Sequence, residues 1–321
     1  MTTLNTPAPS RRNTGIQPVP WRRLAWVSWR QYRLSAAGLI AFLGVLALYL
    51  LIMGLKIHSA FAAAAACSPP ANCRALVNLA FNDYHNAAEI TAAILNGVPV
   101  LAGVFAGAPI LARELEAGTF RFAWTQGAGR TRLTLARLAL PAVAVTAAAA
   151  AFSQLFGWYF QPLFADQASS FQPQYFNLTG LAFAAWTLAA FSIGVLAGVL
   201  IRRVVPAMAA GMAACAGLLG AAVFYLRPHY LAPLSTRPNG TAPSSSWTIS
   251  QWWTGPNGKT VTNENQIILL IQGPHRGYSQ WTLYQPASRY WPFQFIEGGW
   301  VLALSLLLMA ATIWLVRRRA A

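Results

Sequence analysis

Four histidines, His58, His85, His229 and His275, and the acids Asp83, Glu89 and Asp166 are the side chains that could hold a metal or exchange protons. Imidazoles and carboxylates are the usual groups for both tasks. Their densest grouping is FNDYHN, Phe81–Asn86. The spacing matches no metal-ligand pattern and no nucleophile motif. They read as solvated or interfacial polar residues, and the chain by itself is not expected to be an enzyme. The three cysteines separate in kind. Cys67 and Cys73 bound the short stretch CSPPANC, which admits a disulfide in an oxidising compartment or two unpaired thiols. Cys215 stands in an apolar run and reads as small apolar packing.

The elements that position these groups are set by composition. Of 321 residues, 56% are hydrophobic and 9% charged. Soluble domains are about one quarter charged, so this chain cannot coat a water-facing surface and belongs to the membrane class. The net charge of +16 lies in short clusters between apolar runs, not on one face, which argues against nucleic acid.

Six stretches are long enough to cross a hydrocarbon core of about 30 Å. They are Leu34–Leu55, Ile90–Ala112, Leu133–Trp158, Leu178–Ile201, Val204–Leu226 and Gly298–Val316. The predicted fold is an all-α integral membrane protein. With the N-terminus in the cytosol, sixteen of the 23 Lys and Arg fall on the cytosolic side and every cytosolic turn is basic. Both termini are therefore expected inside the cell membrane. A cleaved signal peptide in place of the first span is disfavoured, because its apolar core spans only about 7–15 residues.

Residues 1–19, with several Pro, Ser and Thr, read as a disordered cytosolic tail. In 20–33, Trp21, Trp29 and other apolar residues gather on one arc of a helical wheel. Arg22, Arg23, Arg30 and Arg33 gather on the other. That suits an amphipathic helix lying at the lipid interface; a plain basic flank that sets topology is the alternative. Residues 34–226 hold spans 1–5, 227–297 an external loop, 298–316 the last span and 317–321 a basic tail. Gly103-x-x-x-Gly107 and Gly194-x-x-x-Gly198 mark close helix packing, within the chain or at a dimer seam. No Asp, Glu, Lys or His sits at the centre of a span, which counts against a proton- or sodium-driven carrier.

One segment, Arg113–Arg132, cannot lie in lipid. Its four arginines and two glutamates would cost about 15–20 kcal/mol there. Gly118 is placed to break the helix that leaves span 2. Phe120–Gln126 then reads as a short helix with Phe120, Ala123 and Trp124 on one face. Gly127 and Gly129 end it. Aromatic and arginine side chains of this kind concentrate at interface hot spots.

ARELEAGTFRFAWTQGAGRTR resembles the first cytoplasmic loop of permease subunits of type-2 ATP-binding cassette (ABC) exporters, through Glu114, Glu116, Gly118, Thr119 and Arg130. The six-span layout and the long loop before the last span extend the likeness over nearly the whole chain after residue 20. Trp281–Trp300 is similar to the end of that loop in an actinobacterial branch of such permeases. The resemblance implies a coupling helix, with Phe120 and Trp124, docked on a separate ATPase subunit. It implies two ATPase copies that hold ATP and Mg, and a second permease copy or paralogue. It also implies a re-entrant hairpin over the outer end of the pathway, built from Arg289, Tyr290, Trp291, Phe295 and Glu297. Arg289 and Glu297 are expected to pair. This chain has no phosphate-loop motif and is expected to bind no cofactor itself. The alternative is an ATP-independent membrane scaffold, or a membrane enzyme acting at the outer face.

Overall fold

A computed structural model describes residues 21–67, 73–118, 130–166, 171–236, 238–243, 245–262, 267–268, 270 and 277–319, with the backbone path alone for 21–36, 74, 130–134, 136, 165–166 and 319. The tail 1–19 lies outside these residues. The chain is mostly helical, and among the described residues six helical stretches are long and apolar enough to cross a membrane.

Helix α1 runs unbroken from Trp21 to Ala65, 45 residues. At 1.5 Å per residue this is about 67 Å, twice a hydrocarbon core. Residues 21–33 form the first turns of α1. No proline interrupts the chain between Trp21 and Ala65, whereas Pro69 and Pro70 follow it.

The return path is two helices, α2 (Cys73–Leu95) and α3 (Val98–Glu116). The break falls at Asn96–Gly97, and Pro99 occupies the first turn of α3, where a missing N–H costs nothing. Within α2, Phe81, Ala88, Ala92 and Leu95 are buried, a helical stripe facing α1 and the helix that begins at Arg130. Helix α4 spans Arg130–Asp166 and contains Pro141 and Pro162. A four-residue turn of helix, α5 (Pro173–Phe176), precedes α6 (Ala182–Ile201).

Helix α7 (Val204–Ala221) follows at once. Arg202 turns the corner in the left-handed region, φ +60°, and its N–H donates to the Gly198 carbonyl. The tight turn expected at Arg202–Arg203 is present. The last helix, α8, is Tyr290–Arg319.

Backbone contact joins α3 to α6. A Cβ added to Gly198 would lie 2.6 Å from the Ala108 carbonyl oxygen, and one on Gly107 would overlap the Phe191 carbonyl. Both small-residue pairs thus serve packing within the chain. Cys215 is buried and free, as apolar packing requires.

The segment between α7 and α8 departs from the all-α expectation. It holds a three-stranded antiparallel sheet of β1 (Leu234–Ser235), β2 (Trp247–Thr254) and β3 (Ser279–Gln285), with β3 central. A bulge between Thr248 and Ser250 shifts the register. WTISQWWT and SQWTLYQ are rich in the aromatic and β-branched residues that favour strands. Pro- and Gly-rich stretches flank both runs.

Candidate functional site

Two polar stations stand at opposite ends of the helix bundle. The first lies where α3 ends and α4 and α7 begin. Arg137 donates to both oxygens of Glu114, at 2.5 and 2.6 Å. The pair is nearly buried, the side chains 7% and 17% exposed. Two residues on, Glu116 accepts from the Val204 N–H at 3.0 Å. Val204 opens α7, so this carboxylate satisfies an unpaired helix N–H at the positive end of the helix dipole. Ala117 caps α3 and Gly118 turns the chain away at φ +69°. Gly118 therefore breaks the helix where its type indicated.

The acids of the Glu-x-Glu-x-Gly-Thr stretch fasten one flank of the loop to two other helices. Thr119, Phe120 and Trp124 lie outside the described residues. Of Arg130, the backbone begins α4.

The second station lies at the other end, where α7 finishes and α6 and α8 start. Arg227 and Glu297 are both 0% exposed. Arg227 reaches Glu297 in fork fashion, Nε to Oε2 at 2.8 Å and Nη2 to Oε1 at 2.6 Å. Such two-point contacts are the strong form of this pair. Nη2 also donates to the Asn177 Oδ1 at 2.5 Å, and the guanidinium lies 4.4 Å from the centre of the Phe176 ring. Glu297 further accepts from the Trp186 indole at 2.8 Å and, more weakly, from the Tyr230 hydroxyl at 3.4 Å. Trp300 donates to that same hydroxyl. Burial first, then the charge on Glu297, pushes the Tyr230 phenol up, so it stays protonated as a donor.

The network continues sideways. Asn177 donates to Asn96, the residue at the α2–α3 break, which donates in turn to the Ala92 and Gln174 carbonyls. Gln294 donates to the Phe176 and Thr179 carbonyls and accepts from the Ala182 N–H at the start of α6. Tyr290 donates to Thr179. The elements held together are the α2–α3 break, the α5–α6 link, the end of α7 and the first turns of α8.

Several expectations are corrected here. Arg289 does not pair with Glu297. Eight residues apart on a helical path, they are separated by about 12 Å along the axis. Arg289 instead donates to the Ala232 carbonyl and to Gln285. Tyr290–Glu297 is not a hairpin but the opening of α8. Its residues divide by face: Trp291 and Phe295 are 55% and 63% exposed, while Phe293, Gln294 and Glu297 are buried. The spacing Tyr290, Gln294, Glu297, Val301 is a helical stripe legible in the sequence. Arg227 was missed as a partner, since it reads only as a basic residue flanking a span.

The histidines and acids are dispersed. His85 and Glu89 form an i,i+4 contact at 3.3 Å on α2, and Phe81 stacks on His85. His58 stacks on Trp158 and bonds its carbonyl oxygen. His229 bonds the Tyr225 carbonyl. His275 lies outside the described residues. Among the described residues no three His, Cys, Asp or Glu converge as a metal site would need. Cys67 and Cys73 are placed with Cα atoms 5.5 Å apart and their sulfurs joined.

Six helical stretches able to cross a membrane, with a polar fastening at each end of the bundle, suit a membrane transport component. Residues 40–227 match the model of the family described as ABC-2 membrane transporter related, and the chain belongs to that family. The match ends at Arg227, so the sheet, α8 and Glu297 lie beyond it. No curated protein and no solved structure matches the chain.

Proposed function

We propose that this chain is the permease half of an ATP-driven exporter in the plasma membrane, with both termini cytosolic. It works as a homodimer or beside a similar permease, with two copies of a separate ATPase that hold ATP and Mg. Residues 119–129, including Phe120 and Trp124, dock on that ATPase. The actinobacterial character of Trp281–Trp300 belongs to the same proposal.

The observation that carries the reading is the pair of fastenings beside that loop. Glu114 is held by Arg137 of α4, and Glu116 caps α7. Force applied to the loop therefore reaches α3, α4 and α7 together instead of being lost in a slack connector. Membership of the ABC-2 family supports the division of labour, since such permeases work with an ATPase subunit.

The test is co-purification from native membranes in mild detergent, followed by nucleotide hydrolysis, for wild type and the Phe120→Ala/Trp124→Ala variant. A stoichiometric ATPase that is lost from the correctly inserted variant supports the proposal. A chain that purifies alone with no nucleotide dependence overturns it in favour of an ATP-independent scaffold or outer-face enzyme.

A further inference from the structure

The sheet between α7 and α8 has one closed and one open face. Strand alternation sends Trp253 and Thr282 to the closed face, where they are 5% and 4% exposed. Their neighbours Trp252 and Trp281 point the other way and remain half-exposed. The two are cross-strand partners, with indole planes within 6° of parallel and centroids 6.4 Å apart. They form a stacked aromatic shelf at the floor of a shallow cleft of about 450 Å³, completed by Ser235, Thr254 and Gly258. Small-molecule sites span roughly 300–1,000 Å³.

The indole of Trp281 is fixed in its plane. Its Nε1 donates to Thr254 Oγ1 at 3.1 Å, and that hydroxyl donates to the Ser279 carbonyl at 3.3 Å. Thr254 thus uses a side chain to orient a half-exposed ring. Neither ring belongs to the buried face, and each keeps part of its surface at the cleft. None of the five lining residues is charged. Two rigid apolar rings rimmed by hydroxyls suit a neutral, flat, amphiphilic body with apolar C–H faces and polar edges, which describes a pyranose ring. A bound cation would gain more from a carboxylate, and among the described residues none lines the cleft.

We infer that Trp252 and Trp281 form a binding shelf for neutral saccharide units, with Ser235 and Thr254 meeting the sugar hydroxyls. The shelf is independent of the ATPase reading, since it requires neither the loop at 119–129 nor nucleotide.

The test uses the full chain in lipid nanodiscs, because glycoside detergents would themselves compete for the cleft. Maltotriose and tri-N-acetylchitotriose, two neutral trisaccharides, are titrated by ligand-observed NMR into the millimolar range usual for weak sites. The expected result is saturable binding of at least one, weakened about tenfold by Trp252→Ala or Trp281→Ala, a loss of ~1.4 kcal/mol. Exposed Trp291, on α8, serves as the control, and Trp291→Ala should leave binding unchanged. Oxidative footprinting of the unaltered protein guards against misfolded variants. Bound saccharide should protect Trp252 and Trp281 and leave Trp291 as reactive as before. The inference is overturned if neither sugar binds, or if binding survives loss of both indoles. It is equally overturned if phosphocholine displaces the sugar at lower concentration, which would assign a cationic ligand. Protection of both indoles by lipid alone, with no response to sugar, would make them a membrane-interface anchor instead.

Discussion

Replacing Glu297 with leucine should be among the most damaging single changes in the molecule. The substitution removes both carboxylate oxygens from a guanidinium that is fully buried. Arg227 keeps Asn177 and the face of Phe176, and the Trp186 indole loses its acceptor. Removing one member of a buried ion pair costs about 3–5 kcal/mol, because the other charge stays in a poorly solvating interior. At about 2–4 °C per kcal/mol for domains of 150–250 residues, the melting temperature should fall on the order of 10 °C. Replacing both members with apolar residues of similar volume is often neutral. Arg227→Met combined with Glu297→Leu should therefore recover most of the loss. The assay is thermal unfolding of wild type, both single variants and the double variant in one detergent. The coupling energy comes from the four values. If the single changes lower the midpoint by less than about 2 °C, or the double variant loses the sum of both, the pair is not the buried fastening described.

The remaining expectations are briefer. Gly107→Ala should lose about 1–3 kcal/mol, because the new methyl meets the Phe191 backbone. Gly217→Ala, which faces open space, should change stability by no more than about 1 kcal/mol; equal effects of the two by thermal unfolding would refute the contact between α3 and α6. Denatured without reductant, the chain should take up one maleimide, on Cys215, and after reduction three; three labels without reductant would show that Cys67 and Cys73 are unpaired. Glu114→Gln should weaken the fastening to Arg137 and lower nucleotide hydrolysis in the assembled complex while insertion is retained, measured beside Arg137→Gln. If the reaction rate is unchanged in both, the fastening does not transmit force to the ATPase.

The spans were legible because a helix in lipid must satisfy its own backbone, so length and hydropathy nearly suffice. The helix break at Gly118 and the tight turn at Arg202–Arg203 were legible for local reasons, one a glycine and the other two charges between apolar runs. Helix α2 was half missed because Asn82, Asp83, His85 and Asn86 interrupt its apolar run. Those residues sit on a helix whose buried stripe, from Phe81 to Leu95, is narrow. The pairing of Arg227 with Glu297 was hidden for a different reason. Seventy residues and a small sheet separate them, and charge alone does not say which of several basic residues a buried acid will meet. Arg289, nearer in sequence, was the wrong choice because a helix carried it away from Glu297.

The two stations differ in a way that matters for the proposed function. At the loop end, Glu114 makes a nearly buried ion pair with one partner, while Glu116 makes one exposed contact with a backbone N–H that exchanges at modest cost. At the other end, one charge pair is fully buried and shares its hydrogen bonds among Asn177, Trp186 and Tyr230. Opening it would strand a guanidinium and a carboxylate together. Between the stations, α3 and α6 touch backbone to backbone at Gly107 and Gly198, leaving no room for one to slide past the other without lifting away. Under the proposed reading, a push at the loop is therefore delivered by α3 and α6 moving as one strut. The strut pivots about a far end that stays closed until the movement repays the cost of separating Arg227 from Glu297. That requirement makes the outer station the slow element of the pair. Weakening it by Arg227→Met with Glu297→Leu should raise nucleotide hydrolysis in the assembled complex even where stability is unchanged.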